Sequence, residues 1–213
     1  MDDRTESRVT VPTDGVRLDG ELLVPADATG LVVFAHGSGS SRKSPRNTFV
    51  AEVLRRHGLG TLLFDLLTER EDATYETRFD VDLLTERLLA ATDWLSERAD
   101  TRDLIVGYFG SSTGAAAALR AAADRGDDVG AVVSRGGRVD LASDHLDRVT
   151  AATLFVVGDA DTQVLELNRT AFERLAGPKQ FRVVAGAGHL FEGPGELETV
   201  ADLAADWFET HLE

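Results

Sequence analysis

The stretch LIVGYFGSSTGAAAALRAA, Leu104–Ala122, joins an apolar run to a helix-forming run through a turn of small residues. Within the turn, Gly110-Ser111-Ser112-Thr113-Gly114 fits the pattern G-x-S-x-G. Between a strand and a helix, such a turn is sharp and holds its central serine in a strained backbone conformation. The residues two positions to either side come close together, so they must be small. Gly110 and Gly114 meet that demand around Ser112, whereas Ser111 would have Phe109 and Thr113 there, which are too bulky. Ser112 is therefore the candidate nucleophile. Taken alone, the segment reads better as a helix N-cap serine after a glycine turn, which is common, so the decision rests on partners.

A serine hydroxyl needs a base to take its proton, and the base needs an acid to orient it. Both occur downstream, in the order Ser, Asp, His. TLFVVGDADTQV, Thr153–Val164, is a strand ending in an acid-rich turn, and FRVVAGAGHLFE, Phe181–Glu192, is a strand ending in a glycine loop that carries His189. Each candidate lies beyond the C-terminal end of a predicted strand, where ligands gather in open α/β sheets. Asp159 and Asp161 both offer a carboxylate. Asp161 sits deeper in its loop and is better able to reach a histidine above the sheet edge, while Asp159 suits hydrogen bonds within the turn. His36 ends a buried strand and suits orienting the loop that follows. His57 stands at a helix end, where a cation is favoured, and His145 and His211 fall at surface positions.

Around this segment, apolar runs alternate with helical patterns. Arg17–Val24 alternates with period two, as a half-exposed strand does. Leu31–His36, Thr61–Asp65, Leu104–Phe109, Val129–Ser134, Thr153–Val157 and Phe181–Val184 are continuous runs of the kind found in buried parallel strands. Helices are predicted around Asn47–Arg56, Asp80–Arg98, Thr113–Asp124, Val164–Leu175 and Leu197–Leu212. The alternation predicts one α/β domain over residues 1–213, with a mainly parallel sheet and an antiparallel edge at its start. No insertion is long enough for a cap domain. The polar connection Leu66–Arg78 is the only candidate for a small flap.

LVVFAHGSGSSRKS, Leu31–Ser44, ends an apolar run in a glycine-rich loop with cations behind it. Two chemistries compete for it: a phosphate cradle and a loop whose N–H groups await an oxyanion. Arg42 stands where a phosphate loop needs glycine for its N–H groups to converge. Pro45 removes a further donor from the helix start. The dinucleotide fingerprint G-x-G-x-x-G fails as well, with an arginine in the third glycine position. The oxyanion reading fits better, and it makes Asp65 a strand-end residue near the pocket instead of a magnesium ligand.

The chain has 213 residues, 43% of them apolar, which permits a substantial core. No apolar run approaches the roughly 18 residues of a membrane span, and the start, MDDRTESRVTVP, lacks the basic and apolar regions of a signal peptide. A cytoplasmic protein is expected. There is no cysteine, which excludes disulfides and a thiol nucleophile. The formal net charge of -15 argues against nucleic acid and anionic membrane as partners. Lysine occurs only at Lys43 and Lys179. An acid-rich, lysine-poor surface suits concentrated salt, and an ordinary acidic cytosolic protein gives the same balance.

HGSGSS, GSSTGAAAA, SRGGRVDLA and the GDAD…GAGH pair resemble the α/β-hydrolase superfamily, in a small capless branch related to dienelactone hydrolases. The resemblance runs from about Arg17 to the last helix. It implies an eight-stranded, mostly parallel sheet with helices on both faces and Ser112, Asp161 and His189 as a triad. It also implies an oxyanion hole from the N–H groups of Ser38 and Thr113. Dienelactone hydrolases proper use a cysteine nucleophile, which this chain does not have, so their substrate is not carried over.

The expected reaction is acyl transfer from a small-molecule ester or lactone to water, with no metal or organic cofactor needed. A thioesterase would use the same apparatus, and a binding protein on a hydrolase scaffold is the rival of a different class. A nucleotide hydrolase on a phosphate loop is the weakest alternative. SRGGRVDLA, Ser134–Ala142, starts on the active-site side. Arg135 or Arg138 could bind a substrate carboxylate there, or could form a structural salt bridge with an acid such as Asp140 or Asp144.

Overall fold

In the computed structural model, which describes residues 5–212, the apolar runs become the strands of a single sheet. Residues 1–4, part of the stretch on which the expectation of no leader rests, lie outside the described residues. The elements are β1 (Thr5–Thr13), β2 (Val16–Val24), β3 (Gly30–Ala35), α1 (Pro45–Arg56), β4 (Gly60–Phe64), α2 (Glu69–Asp72), α3 (Tyr75–Arg78), α4 (Val81–Ser96), β5 (Ile105–Ser111), α5 (Thr113–Arg125), β6 (Val129–Arg135), β7 (Ala152–Gly158), α6 (Thr162–Arg174), β8 (Lys179–Val184) and α7 (Glu196–His211).

The eight strands lie in the order β1-β2-β4-β3-β5-β6-β7-β8. β1 and β2 form an antiparallel hairpin, and β2 pairs antiparallel with β4. From β4 to β8 every pairing is parallel. The central strands are mostly apolar because both of their faces are covered, with buried polar residues such as Thr61, Ser134 and Thr153 among them. Leu31, Val33 and Ala35 of β3 join one core with Leu84, Leu88, Ala91 and Leu95 of α4 and the alanines of α5. Val32 and Phe34 face the other way, into a core built by α1 and by Val200, Ala204 and Phe208 of α7. The edge strand β8 is more exposed and carries Lys179 and Arg182, charges of the kind that discourage edge-to-edge pairing.

The connection after β4 holds two single-turn helices, α2 and α3, and no larger insertion. Thr68 and Glu71 cap the first of them reciprocally: the Thr68 hydroxyl accepts the Glu71 N–H and the Glu71 carboxylate accepts the Thr68 N–H. Val139–Arg148, which begins within SRGGRVDLA, forms 3-10 helix. No helix among the described residues is long and apolar enough to cross a membrane.

Candidate active site

β5 ends at Ser111 and α5 begins at Thr113, so Ser112 alone makes the turn. Its φ is +52° and its ψ -122°, a backbone conformation that costs on the order of 1–3 kcal/mol outside glycine. The neighbours show why the sequence must be small here. A Cβ on Gly110 would lie 2.4 Å from the Ala115 Cα, and one on Gly114 would lie 2.1 Å from the Ala35 carbonyl oxygen. The first turn of α5 thus rests directly on the ends of β3 and β5. The turn is fixed by three backbone bonds: the Ser112 N–H donates to the Arg135 carbonyl at 3.3 Å, and the Ser112 carbonyl accepts from Ala115 and Arg138 at 3.1 and 3.0 Å.

The acid and histidine loops follow β7 and β8, adjacent parallel strands. They are stitched together by the Asp159 N–H to the Val184 carbonyl at 3.2 Å and the Ala160 N–H to the Ala187 carbonyl at 3.1 Å. The Asp159 carboxylate accepts the Gly186 N–H at 2.7 Å, so this acid shapes the turn. Asp161 stands just before α6 and places its carboxylate 2.7 Å from His189 Nδ1. The His189 ring lies against Gly136, where an added Cβ would be 3.4 Å from Nδ1. Gly136 directly follows Arg135, whose carbonyl holds Ser112, so the three side chains gather at one end of the sheet. Among the described residues, no hydrogen bond joins Ser112 to His189 itself.

The glycine loop after β3 passes over the serine. A Cβ on Gly37 would lie 3.0 Å from the Ser112 Cβ and 3.7 Å from its Oγ. His36 is buried and bridges this loop to the end of β4. Its Nε2 accepts the Leu66 N–H at 3.0 Å, which leaves Nδ1 to donate to the Gly37 carbonyl, also at 3.0 Å. Burial holds the His36 pKa below the usual imidazole value, and the neighbouring backbone carbonyl and Asp65 offset this in part. Thr113, the first residue of α5, has no intrahelical partner for its N–H. The Ser38 N–H is not free: it donates to the Thr113 hydroxyl at 2.9 Å.

Arg42, one of the two cations of the loop, is committed to acids. The Arg42 N–H donates to Asp65 at 2.8 Å, and its guanidinium pairs with Asp65 and Asp19. Ser44 caps α1 through the Asn47 N–H. These contacts leave neither the arginine nor the serine for a phosphate. A cavity of about 420 Å³ opens beside the loop, with His36, Ser40, Asp65, Leu67 and Thr68 in its walls. None of Ser112, Asp161 and His189 lines it.

The two arginines of SRGGR part ways. Arg138 forms a two-bonded pair with Asp140 at 2.9 and 2.8 Å, which raises its pKa. Arg135 is buried, and its Nε and Nη1 have no hydrogen-bond partner. Burial, with Arg46 nearby, lowers its pKa to about 10. Sequence reasoning passed over Arg46 itself. From the second position of α1 it donates to the Leu190 carbonyl at 2.9 Å and pairs with Glu192 at 2.6 Å, so it holds the loop next to His189. Phe191, in the same loop, has a φ of +52° and is buried in the core.

Comparison with known proteins places this architecture. No protein-family model matches the chain. The crystal structure of a dienelactone hydrolase from Anabaena variabilis superposes with a TM-score of 0.96 at 52% identity, covering 99% of each chain. On that similarity, the chain belongs to the dienelactone hydrolase family of the α/β-hydrolase superfamily. Est1E from Butyrivibrio proteoclasticus shares the fold at a TM-score of 0.81 and 18% identity, over 95% of this chain and 98% of its own. Proteins from two strains of Mycobacterium tuberculosis, provisionally named phosphoribosyl transferases, are 56% identical over 207 residues. That alignment takes in 97% of this chain but 47% of theirs, so the chain spans about half the length of these relatives.

Proposed function

We propose that the protein is a serine hydrolase that cleaves a carboxylic ester or lactone through an acyl-enzyme. The observation that carries this reading is the 2.7 Å contact of Asp161 with His189, set beside a serine held at φ +52°. Ser112 Oγ attacks the carbonyl carbon while His189 Nε2 takes its proton. Asp161 holds the ring through Nδ1 and stabilises the imidazolium. The tetrahedral intermediate places its oxyanion at the N–H groups of Thr113 and Ser38, the latter exchanging the Thr113 hydroxyl for the substrate oxygen. His189 returns the proton to the departing alcohol. It then activates the water that releases the acid and regenerates Ser112. The Ser112–His189 hydrogen bond forms as substrate binds, since catalytic hydrogen bonds commonly close only in the substrate complex.

The phosphoribosyl name of the Mycobacterium proteins does not fit this site. We assign that chemistry to the half of those chains that this one does not span, because Arg42 and Ser44 are already engaged within the loop. The test is a panel of p-nitrophenyl esters, thioesters and lactones, run at low and molar salt, with Ser112→Ala as the control. Turnover that Ser112→Ala abolishes supports the reading; turnover that survives in the variant rejects Ser112 as nucleophile. Preference for thioesters would move the assignment to the thioesterase.

A further inference from the structure

We propose that the side-chain hydroxyl of Thr113 is a third donor to the oxyanion, beside the backbone N–H groups of Thr113 and Ser38. The proposal rests on the hydrolase reading and adds a catalytic side chain to it.

A threonine on a helix commonly turns its hydroxyl back to the carbonyl four residues earlier. Thr85, Thr92, Thr170, Thr199 and Thr210 all do so here, at 2.6–3.1 Å. Thr113 has no such carbonyl. The residue four before it, Phe109, belongs to strand β5, on the far side of the turn at Ser112. The Thr113 hydroxyl meets the glycine loop instead and accepts the Ser38 N–H at 2.9 Å.

A hydroxyl can accept and donate at once. A backbone N–H can only donate, so the Thr113 oxygen is the acceptor in this bond and its own proton is left over. Thr113 is 1% exposed, and among the described residues no protein acceptor takes that proton. A donor sealed from water in this way is costly to leave unmade. An oxygen that arrives with the substrate relieves it.

The surroundings put the hydroxyl beside the proposed hole. It lies 2.9 Å from one of the two N–H nitrogens and on the residue that carries the other. The glycine loop is pressed onto the turn here: a Cβ on Gly37 would be 3.0 Å from the Ser112 Cβ, and one on Gly114 would strike the Ala35 and His36 carbonyl oxygens. An oxyanion that both N–H groups serve is thereby within reach of the hydroxyl. As the Ser38 N–H turns to the substrate oxygen, the Thr113 O–H follows and donates to the same atom. The proton stays on Thr113. The gain is electrostatic and is largest when the negative charge has developed.

The experiment is steady-state kinetics on Thr113→Val, which keeps the side chain's shape and the backbone N–H and removes the hydroxyl. The substrates are p-nitrophenyl butyrate and the matching thionoester. Sulfur accepts hydrogen bonds weakly, so the oxygen-to-sulfur rate ratio reports donation to the reacting atom. The variant is expected to lose about tenfold to a hundredfold in kcat on the oxygen ester, the order expected of one hydrogen bond to a charged group, with KM within a few-fold. The rate ratio should fall by a similar factor, and Thr113→Ser should recover most of both losses. A kcat that is unchanged or raised in Thr113→Val overturns the proposal, because the hydroxyl then only occupies the Ser38 N–H in the resting enzyme. A lower kcat at an unchanged ratio also overturns it, because the hydroxyl then only positions the glycine loop. Should Thr113→Val fail to fold, Thr113→Ala is read by the same two outcomes. A wild type that cleaves no ester removes the hydrolase reading and this proposal with it; an active wild type with either overturning result removes the proposal alone.

Discussion

His189 Nδ1 and the Asp161 carboxylate meet at 2.7 Å although 28 residues separate them in the chain. The two strands between which they are carried are parallel neighbours, and their following loops share backbone hydrogen bonds. Asp159, two residues earlier, is turned instead onto the Gly186 N–H. The two aspartates of one short loop therefore hold different offices, and substitution separates them.

Asp161→Asn is expected to lower kcat by about 10⁴, because the amide presents a donor edge that no longer fixes the imidazole tautomer. Asp159→Asn should leave kcat within a few-fold and cost about 1 kcal/mol of stability, the loss of a charge-assisted acceptor for one backbone N–H. Steady-state kinetics and urea midpoints on the two variants check this pair. The reverse pattern would move the acid to Asp159.

Gly114→Ala is expected to be severely destabilising. The added methyl would meet the Ala35 carbonyl at 2.1 Å, and both are backbone positions in the packed centre. Overpacking of this kind costs roughly 1–3 kcal/mol and occasionally more, and the absence of any flexible neighbour places this site at the upper end. Gly188→Ala, where a methyl meets nothing within 4 Å, is the comparison. Chemical denaturation should show a much lower midpoint for the first and a small change for the second.

The elbow and the order of the three triad candidates were legible in the sequence because each depends on local pattern: small residues around Ser112, and loops that follow apolar strands. The parallel core strands were legible for the same reason, since burial on two faces leaves runs that are mostly apolar. What escaped depends on distant partners. Arg46 reaches Leu190 across 144 positions, and an acid-rich chain offers any arginine many plausible mates. Arg135 and Arg138 look alike in SRGGR, and only packing leaves one paired and the other alone. The engagement of the Ser38 N–H by the Thr113 hydroxyl likewise follows from how α5 abuts the glycine loop.

Stability should fall on mild acidification through His36. Burial lowers its pKa in the folded chain below the ordinary value of 6.5. Its neutral form is the one that accepts the Leu66 N–H. The contribution is therefore fully present above about pH 6.5 and is lost as pH falls through the depressed folded-state value. In His36→Gln this part of the dependence disappears, leaving that of His145 and His211, which burial also depresses. Denaturant midpoints between pH 7.5 and pH 5 should show a shallower decline for the variant. Parallel curves would remove His36 from the account.

The central claim is that Ser112 is the nucleophile that His189 activates. Its most direct test is tandem mass spectrometry of the protein after treatment with a fluorophosphonate, with His189→Ala alongside. The account predicts one adduct per chain, located on Ser112 and formed far more slowly in the variant. An adduct on Ser111, or labelling of Ser112 at an equal rate without His189, would contradict it.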